Sequence, residues 1–169
     1  MSARIDLSGA LPHRYPMLLV DDIVETVPGE RLVARKAVTC NEPWYARLGA
    51  AASRSSYPES LVLESWAQAA AVLGQLTLGG ADRKPDGVTV LGSVSGVRFA
   101  QPVLPGEVLE HHVRLDRVLA DTLLFSGRSV VGDTEVLTVS RVVAAWRPAE
   151  RLRPSAAGRD RVRTEGADQ

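Results

Sequence analysis

The spacing of apolar and polar positions indicates about six β-strands and one long helix. Residues 17–27 and 30–39 are rich in Val, Leu and Ile, and the Pro28-Gly29 pair between them is a turn signal, so we expect a β-hairpin. Turn signals also separate the last three of four later stretches with β character, which predicts an antiparallel meander. These four stretches are residues 88–100, 107–119, 122–131 and 135–146.

Between the two groups of strands, residues 61–73 carry apolar side chains on nearly every side of a helix. Pro58 suits the first turn of that helix, Glu59 favours the positive end of its dipole, and Gly79 and Gly80 are expected to end it. A helix that is apolar all round must be largely wrapped by other structure. We therefore predict an α+β fold in which a long, curved antiparallel sheet wraps around a central α-helix.

Residues 41–57 have a different composition from the rest of the chain. Pro43, Gly49, a run of small residues and the pair Ser55-Ser56 predict a loop with one short helical turn. Loops of this length in compact domains are usually functional or mobile. This segment is therefore expected to bear on function.

The length and composition predict one domain. A chain of 169 residues that is 45% hydrophobic can bury a sizeable core. Residues 1–148 are expected to form this domain. Residues 149–169 are rich in Arg and almost devoid of large apolar side chains, so they are expected to be a disordered tail.

Charge and cysteine content exclude several function classes. The 20 basic and 20 acidic residues balance, so no global field attracts the chain to nucleic acid or to an anionic membrane. No apolar stretch approaches the roughly 18 residues that span a bilayer, and residues 1–11 lack the features of a signal peptide. The single cysteine, Cys40, cannot form an intrachain disulfide and is expected in the core. These features predict a cytoplasmic protein.

Three segments resemble one family in order and spacing. They are LPHRYPMLLVDD at residues 11–22, followed by NEP at 41–43; LVLESWAQAAAVL at 61–73; and VRFAQPVLPGE at 97–107. Together they resemble the bacterial β-hydroxyacyl-acyl carrier protein dehydratases, the FabZ/FabA-like family of the hot-dog fold. The resemblance covers roughly residues 11–148.

The resemblance implies a site shared between two subunits. Members of the family form dimers with two acyl tunnels at the interface, and each site takes a histidine from one subunit and a helix carboxylate from the other. By resemblance Glu64 is that carboxylate, Gln68 is the supporting amide, and the backbone N–H of Glu59 faces the thioester oxygen. Four side chains are candidates for the acyl tunnel: Tyr57, Leu61, Trp66 and Phe99.

The chain departs from the family where the catalytic histidine should stand. The family has a segment of the form H-F-P-G-x-P-x-x-P-G before the helix. Counting back from Glu64 places its histidine at Ala50, and counting forward from Asn41 places it at Leu48, because the loop is about two residues longer here. Neither residue is a base. The family glycine at the start of the helix is also replaced, by Glu59, whose side chain narrows the approach.

The histidines elsewhere in the chain offer no evident substitute. His13 belongs to a motif that is structural in the family and lies away from the carboxylate, so it is expected to pack or to face solvent. His111 and His112 are neighbours in a predicted strand, so at most one of them points inward. The spacing of His, Cys and acidic residues matches no metal site, and neither a metal nor a cofactor is expected.

Dehydration of a 3-hydroxyacyl thioester requires a base for the C2 proton, an acid for the departing hydroxyl and donors for the thioester oxygen. Burial on the apolar helix would favour the neutral form of Glu64, which could then serve as the acid. The leading hypothesis is a dehydratase subunit of fatty acid or polyketide biosynthesis that forms a heterodimer with a homologous, histidine-bearing hot-dog subunit. Arg47 and Arg54 offer basic groups to the acidic surface of an acyl carrier protein.

Two alternatives remain open from the sequence. The chain could be a catalytically inactive protein that binds acyl chains or stabilises an active homologue. It could also be a hot-dog isomerase or thioesterase that uses Glu64 as a base. The isolated chain is compatible with a homodimer, since its helix and sheet edge require cover.

Overall fold

The computed structural model describes residues 5–79 and 87–148. The strands are β1 (Asp22–Val27), β2 (Arg31–Ala37), β3 (Gly87–Phe99), β4 (Val108–Leu119), β5 (Thr122–Val131) and β6 (Thr134–Pro148). The α-helices are α1 (Leu7–Ala10) and α2 (Glu59–Gly79), and two 3-10 helices cover Pro43–Arg47 and Gly49–Arg54. The predicted boundary at residue 148 borders the expected tail, 149–169, which lies outside the described residues.

The strands form one antiparallel sheet in the order β1-β2-β4-β5-β6-β3. The expected hairpin forms at Pro28-Gly29, where Gly29 adopts a φ of 81° and its N–H donates to Thr77 Oγ1 of α2 at 3.0 Å. The meander of β4, β5 and β6 is also as predicted. The predicted α+β architecture, a long sheet around one central helix, is therefore confirmed.

The core lies between α2 and the concave face of the sheet. Trp66 of α2 is completely buried, and its indole Nε1 donates to the carbonyl oxygen of His112 in β4 at 3.3 Å. This approach requires Gly127 in β5, because a Cβ there would lie 2.0 Å from the same carbonyl oxygen and 3.1 Å from the Trp66 ring. The helix and sheet are thus fitted around one large side chain.

The loop at residues 41–57 is tied to the sheet by a buried ion pair. Lys36 of β2 is 5% exposed, and its ammonium contacts the carboxylate of Glu42 and donates to the carbonyl oxygen of Ala37 at 2.8 Å. Tyr45 and Tyr57 are also buried, and burial raises the pKa of both hydroxyls. The loop contains two 3-10 helices where we expected a single turn, and its packing fixes it against the core.

Two expectations from the sequence, the burial of Cys40 and the start of the first strand, are wrong. Cys40 was expected in the core but is exposed, because it lies in the turn that follows β2. The expected first strand, residues 17–27, becomes regular only at Asp22.

Within the described residues, no helix combines the length and the apolar character needed to cross a bilayer.

We expect Glu42→Gln to lower the free energy of unfolding by up to about 3 kcal/mol, because it leaves the buried Lys36 ammonium with only the more distant carboxylate of Asp21, at 3.8 Å. The matched control is Glu30→Gln, which removes one of the two exposed carboxylate partners of Arg31, the other being Glu25, and is expected to cost less than about 1 kcal/mol. Denaturant titration of both variants measures the difference. Equal losses would contradict this role of the buried pair.

Candidate functional site

The side chain of Gln68 organises the candidate site. It is 1% exposed and lies one helical turn after Glu64 on α2. Its Nε2 donates to Glu64 Oε1 at 2.9 Å and to the carbonyl oxygen of Met17 at 2.8 Å, while its Oε1 accepts from the Leu19 N–H at 2.9 Å. Both amide hydrogens and the amide oxygen are therefore engaged, which fixes the orientation of Gln68 and of the carboxylate that it holds.

These bonds also explain why residues 17–21 are not a strand. The carbonyl oxygen of Met17 and the N–H of Leu19 are bonded by the Gln68 side chain of α2 in place of a neighbouring strand. Ser65 Oγ adds a third bond by donating to the carbonyl oxygen of Leu19 at 2.6 Å. The segment before β1 consequently crosses the helix beside Glu64.

The structure places His13 beside Glu64, so the expectation that His13 lies away from the carboxylate is wrong. His13 Nε2 is 3.5 Å from Glu64 Oε1, and each side chain is 35% exposed. The guanidinium of Arg14 fixes this stretch by donating to the carbonyl oxygens of Leu11 and His13 at 2.7 Å each and to that of Ser8 at 2.9 Å. An irregular segment thereby holds His13 beside the helix carboxylate of the same chain.

Glu64 is less buried than its apolar helix suggested. Its side chain lies at the edge of a face of α2 that the sheet leaves partly open, together with Leu63, Ala67 and Ala71. The carboxylate therefore combines one fixed donor, Gln68, and a neighbouring imidazole, His13, with access to whatever occupies this face. Among the described residues, no hydrogen bond reaches its second oxygen, Oε2.

A buried histidine supports the same turn of the helix from the sheet side. His111 of β4 is fully buried, whereas the side chain of His112 is 35% exposed, which confirms that only one of the two faces inward. Because Ser65 Oγ uses its hydrogen on Leu19, it accepts from His111 Nε2, and Ser129 Oγ donates to Nδ1, both at 2.7 Å. Burial lowers the pKa of His111 to about 3, which keeps the ring neutral.

Three of the other predicted site residues surround a cavity at the start of α2. Tyr57, Glu59 and Phe99 line a small cavity of about 40 Å³ together with Val62. Glu59 is the first helical residue, and the N–H groups of Leu61 and Val62 are the first to bond the Pro58 carbonyl oxygen. The Glu59 N–H thus belongs to the helix end that lacks acceptors within the helix. Glu64 does not line this cavity.

The remaining predicted residues do not line the cavity at the start of α2. Leu61 is half-buried against the core, and Trp66 fills the space between helix and sheet. In the loop, Ala50 is exposed and Leu48 is half-buried. Among the residues that the structure describes, no cluster of His, Cys, Asp and Glu has the arrangement of a metal site.

Comparison with protein families identifies a FabA-like domain at residues 11–140. The 3-hydroxyacyl-[acyl-carrier-protein] dehydratase FabZ of Paracidovorax citrulli (strain AAC00-1) is 42% identical over 139 residues. This similarity covers 79% of the chain and 93% of the relative.

Solved structures share the hot-dog fold. The dehydratase heterocomplex ApeI:P from Xenorhabdus doucetiae superposes with a TM-score of 0.70 at 19% identity, covering 88% of this chain and 95% of that one. A variant of the fluoroacetyl-CoA-specific thioesterase FlK superposes with a TM-score of 0.61 at 14% identity, covering 81% of this chain and 98% of that one. At these identities the likeness establishes the fold alone.

Acidification is expected to destabilise the protein through His111. Its pKa is about 3 in the folded state and about 6.5 when unfolded, so the unfolded chain takes up the proton first. This contribution is fully present above about pH 6.5 and is lost as the pH falls toward 3. When the pH falls from 7 to 5, this one group lowers the free energy of unfolding by about 2 kcal/mol.

Denaturant unfolding at these two pH values measures the effect. We expect His111→Gln to lack this part of the pH dependence and His112→Gln, the matched control on the outer face, to retain it. The same loss of stability in all three proteins would contradict the assignment to His111.

Proposed function

The chain belongs to the FabA-like family, and from this premise we propose that it is a subunit of a 3-hydroxyacyl-acyl carrier protein dehydratase. In this proposal Glu64 supplies the carboxylate of a site that lies between two hot-dog subunits, and a homologous partner supplies the histidine. The observation that carries the proposal is the fixed Glu64–Gln68 pair, in which a buried amide holds a partly exposed carboxylate.

The chemistry assigns one step to each group. The partner's histidine takes the C2 proton of the 3-hydroxyacyl thioester, and protonated Glu64 gives its proton to the C3 hydroxyl, which leaves as water. The electron pair of the broken C2–H bond forms the C2–C3 double bond of the enoyl thioester. The backbone N–H of Glu59, at the positive end of α2, is the proposed donor to the thioester oxygen during this transfer.

Two observations support a composite site. Ala50 and Leu48 occupy the alternative positions of the family histidine, and neither can accept the C2 proton. The cavity beside Tyr57 and Phe99, at about 40 Å³, holds a few atoms and not an acyl chain. A second subunit would complete both the base and the tunnel. The solved relative of similar fold that is a dehydratase heterocomplex provides a precedent for such a pair.

The absence of the family base also favours a second candidate, an acyl-binding protein without catalytic function. In that case the chain would hold the substrate or stabilise an active homologue, and Glu64 would be dispensable. The two candidates differ in what happens to the assembled complex when the Glu64 carboxylate is removed.

We expect Glu64→Gln to lower kcat by about 10²–10⁴-fold in a complex with a histidine-bearing homologue, because the amide cannot give a proton to the leaving hydroxyl. The measurement is dehydration of a 3-hydroxyacyl carrier protein by this chain alone and by the mixture. The matched control is Glu110→Gln, which removes a carboxylate that pairs with Arg35 and His112 away from α2.

Activity confined to the mixture, with Glu110→Gln unaffected, is the expected result. Full activity of the isolated chain would contradict a composite site. A mixture with undiminished activity after Glu64→Gln would favour the binding role.

A further inference from the structure

The contact between His13 and Glu64 has no role in the proposed reaction, although it brings the histidine of one loop to the carboxylate of α2. We propose that His13 is a positioning residue: its neutral ring donates from Nε2 to Glu64 Oε1 and thereby leaves Oε2 as the oxygen that carries the transferable proton. This inference rests on the proposed function. It specifies which oxygen of the proposed acid, Glu64, carries the proton that is transferred.

The surroundings of His13 indicate its tautomer. Its Nδ1 atom is buried and has no hydrogen-bond partner among the described residues, so it is unpaired in either tautomer. A proton on Nδ1 would in addition leave the lone pair of Nε2 facing Glu64 Oε1, an oxygen that acts as an acceptor toward Gln68. The proton of the neutral ring therefore resides on Nε2, the nitrogen that faces the Glu64 carboxylate.

Two N–H groups lie on the same side of the Glu64 carboxyl. Gln68 Nε2 donates to Glu64 Oε1 at 2.9 Å, and His13 Nε2 lies 3.5 Å from the same atom. When Glu64 carries a proton, the oxygen that faces these N–H groups must be the carbonyl-like oxygen, so the acidic proton lies on Oε2. Oε2 is also the oxygen that no described residue bonds.

The His13 contact is long for a hydrogen bond. At 3.5 Å it exceeds the ordinary N–H···O distance of about 2.7–3.2 Å. Hydrogen bonds in unliganded catalytic sites are often long and shorten when substrate binds. The backbone on either side leaves little slack, since Arg14 bonds the carbonyl oxygens of Ser8, Leu11 and His13. A shift of a few tenths of an ångström in the two side chains closes the contact.

The test compares three variants, His13→Gln, His13→Leu and Glu64→Gln, in the assembled, active complex. His13→Gln keeps an N–H donor near the position of Nε2 but cannot titrate, whereas His13→Leu removes the donor and keeps much of the volume. We expect His13→Leu to lower kcat about 10-fold or more with little change in KM. His13→Gln is expected to restore kcat to within about 3-fold of the original value.

Each outcome distinguishes this inference from the proposal on which it rests. Undiminished activity after Glu64→Gln would overturn the proposed function itself. A large loss with Glu64→Gln and none with His13→Leu would overturn the role of His13 alone. If His13→Gln were as slow as His13→Leu, the ring would act by exchanging protons and not as a neutral donor, and the inference would fail.

A second measurement does not require activity or a partner. The ¹⁵N NMR shifts of the His13 ring at pH 8, assigned by comparison with His13→Gln, report which nitrogen carries the proton. We expect an N–H at Nε2 and a lone pair at Nδ1. A proton at Nδ1 would overturn the proposal even if the variants lost activity, and thermal unfolding of each variant shows whether a loss is one of folding.

Discussion

The amide of Gln68 is the interaction on which the geometry of the site depends. It holds the carboxylate of Glu64 and, at the same time, bonds the backbone of Met17 and Leu19. Because the amide is buried, loss of these bonds would leave backbone groups unpaired at about 1–3 kcal/mol each. The orientation of the Glu64 carboxylate and the path of the preceding segment are therefore set by one side chain. His13 comes to lie beside Glu64 because that segment is held across the helix.

In the proposed function the chain departs from the family in its base and keeps the family's scaffold. The loop that lacks the histidine is well packed, with Tyr45 and Tyr57 buried and Glu42 paired to Lys36. Loss of either member of that pair would be costly, so the pair keeps the loop folded whether or not the loop takes part in catalysis. The proposal of a composite site therefore depends on the Glu64 carboxylate that Gln68 holds, and not on the order of the loop.

The sequence predicted the fold closely and the site in part. Strands and helix were predictable because their apolar side chains recur at fixed spacings, and Glu64 and Gln68 lie on a regular helix where one turn brings them together. The position of His13 was not predictable, because it lies in an irregular segment whose path depends on contacts distant in sequence. The same applies to Cys40, whose exposure follows from where β2 ends.

The central claim is that Glu64 and a histidine from another subunit form one active site. The most direct test is to pair this chain with a histidine-bearing homologue whose own helix carboxylate has been changed to an amide. That partner has lost its own site, so dehydration should persist in the mixed complex and disappear when Glu64→Gln is introduced as well. If the change in the partner alone abolished dehydration, the activity would belong to the partner and the claim would be contradicted.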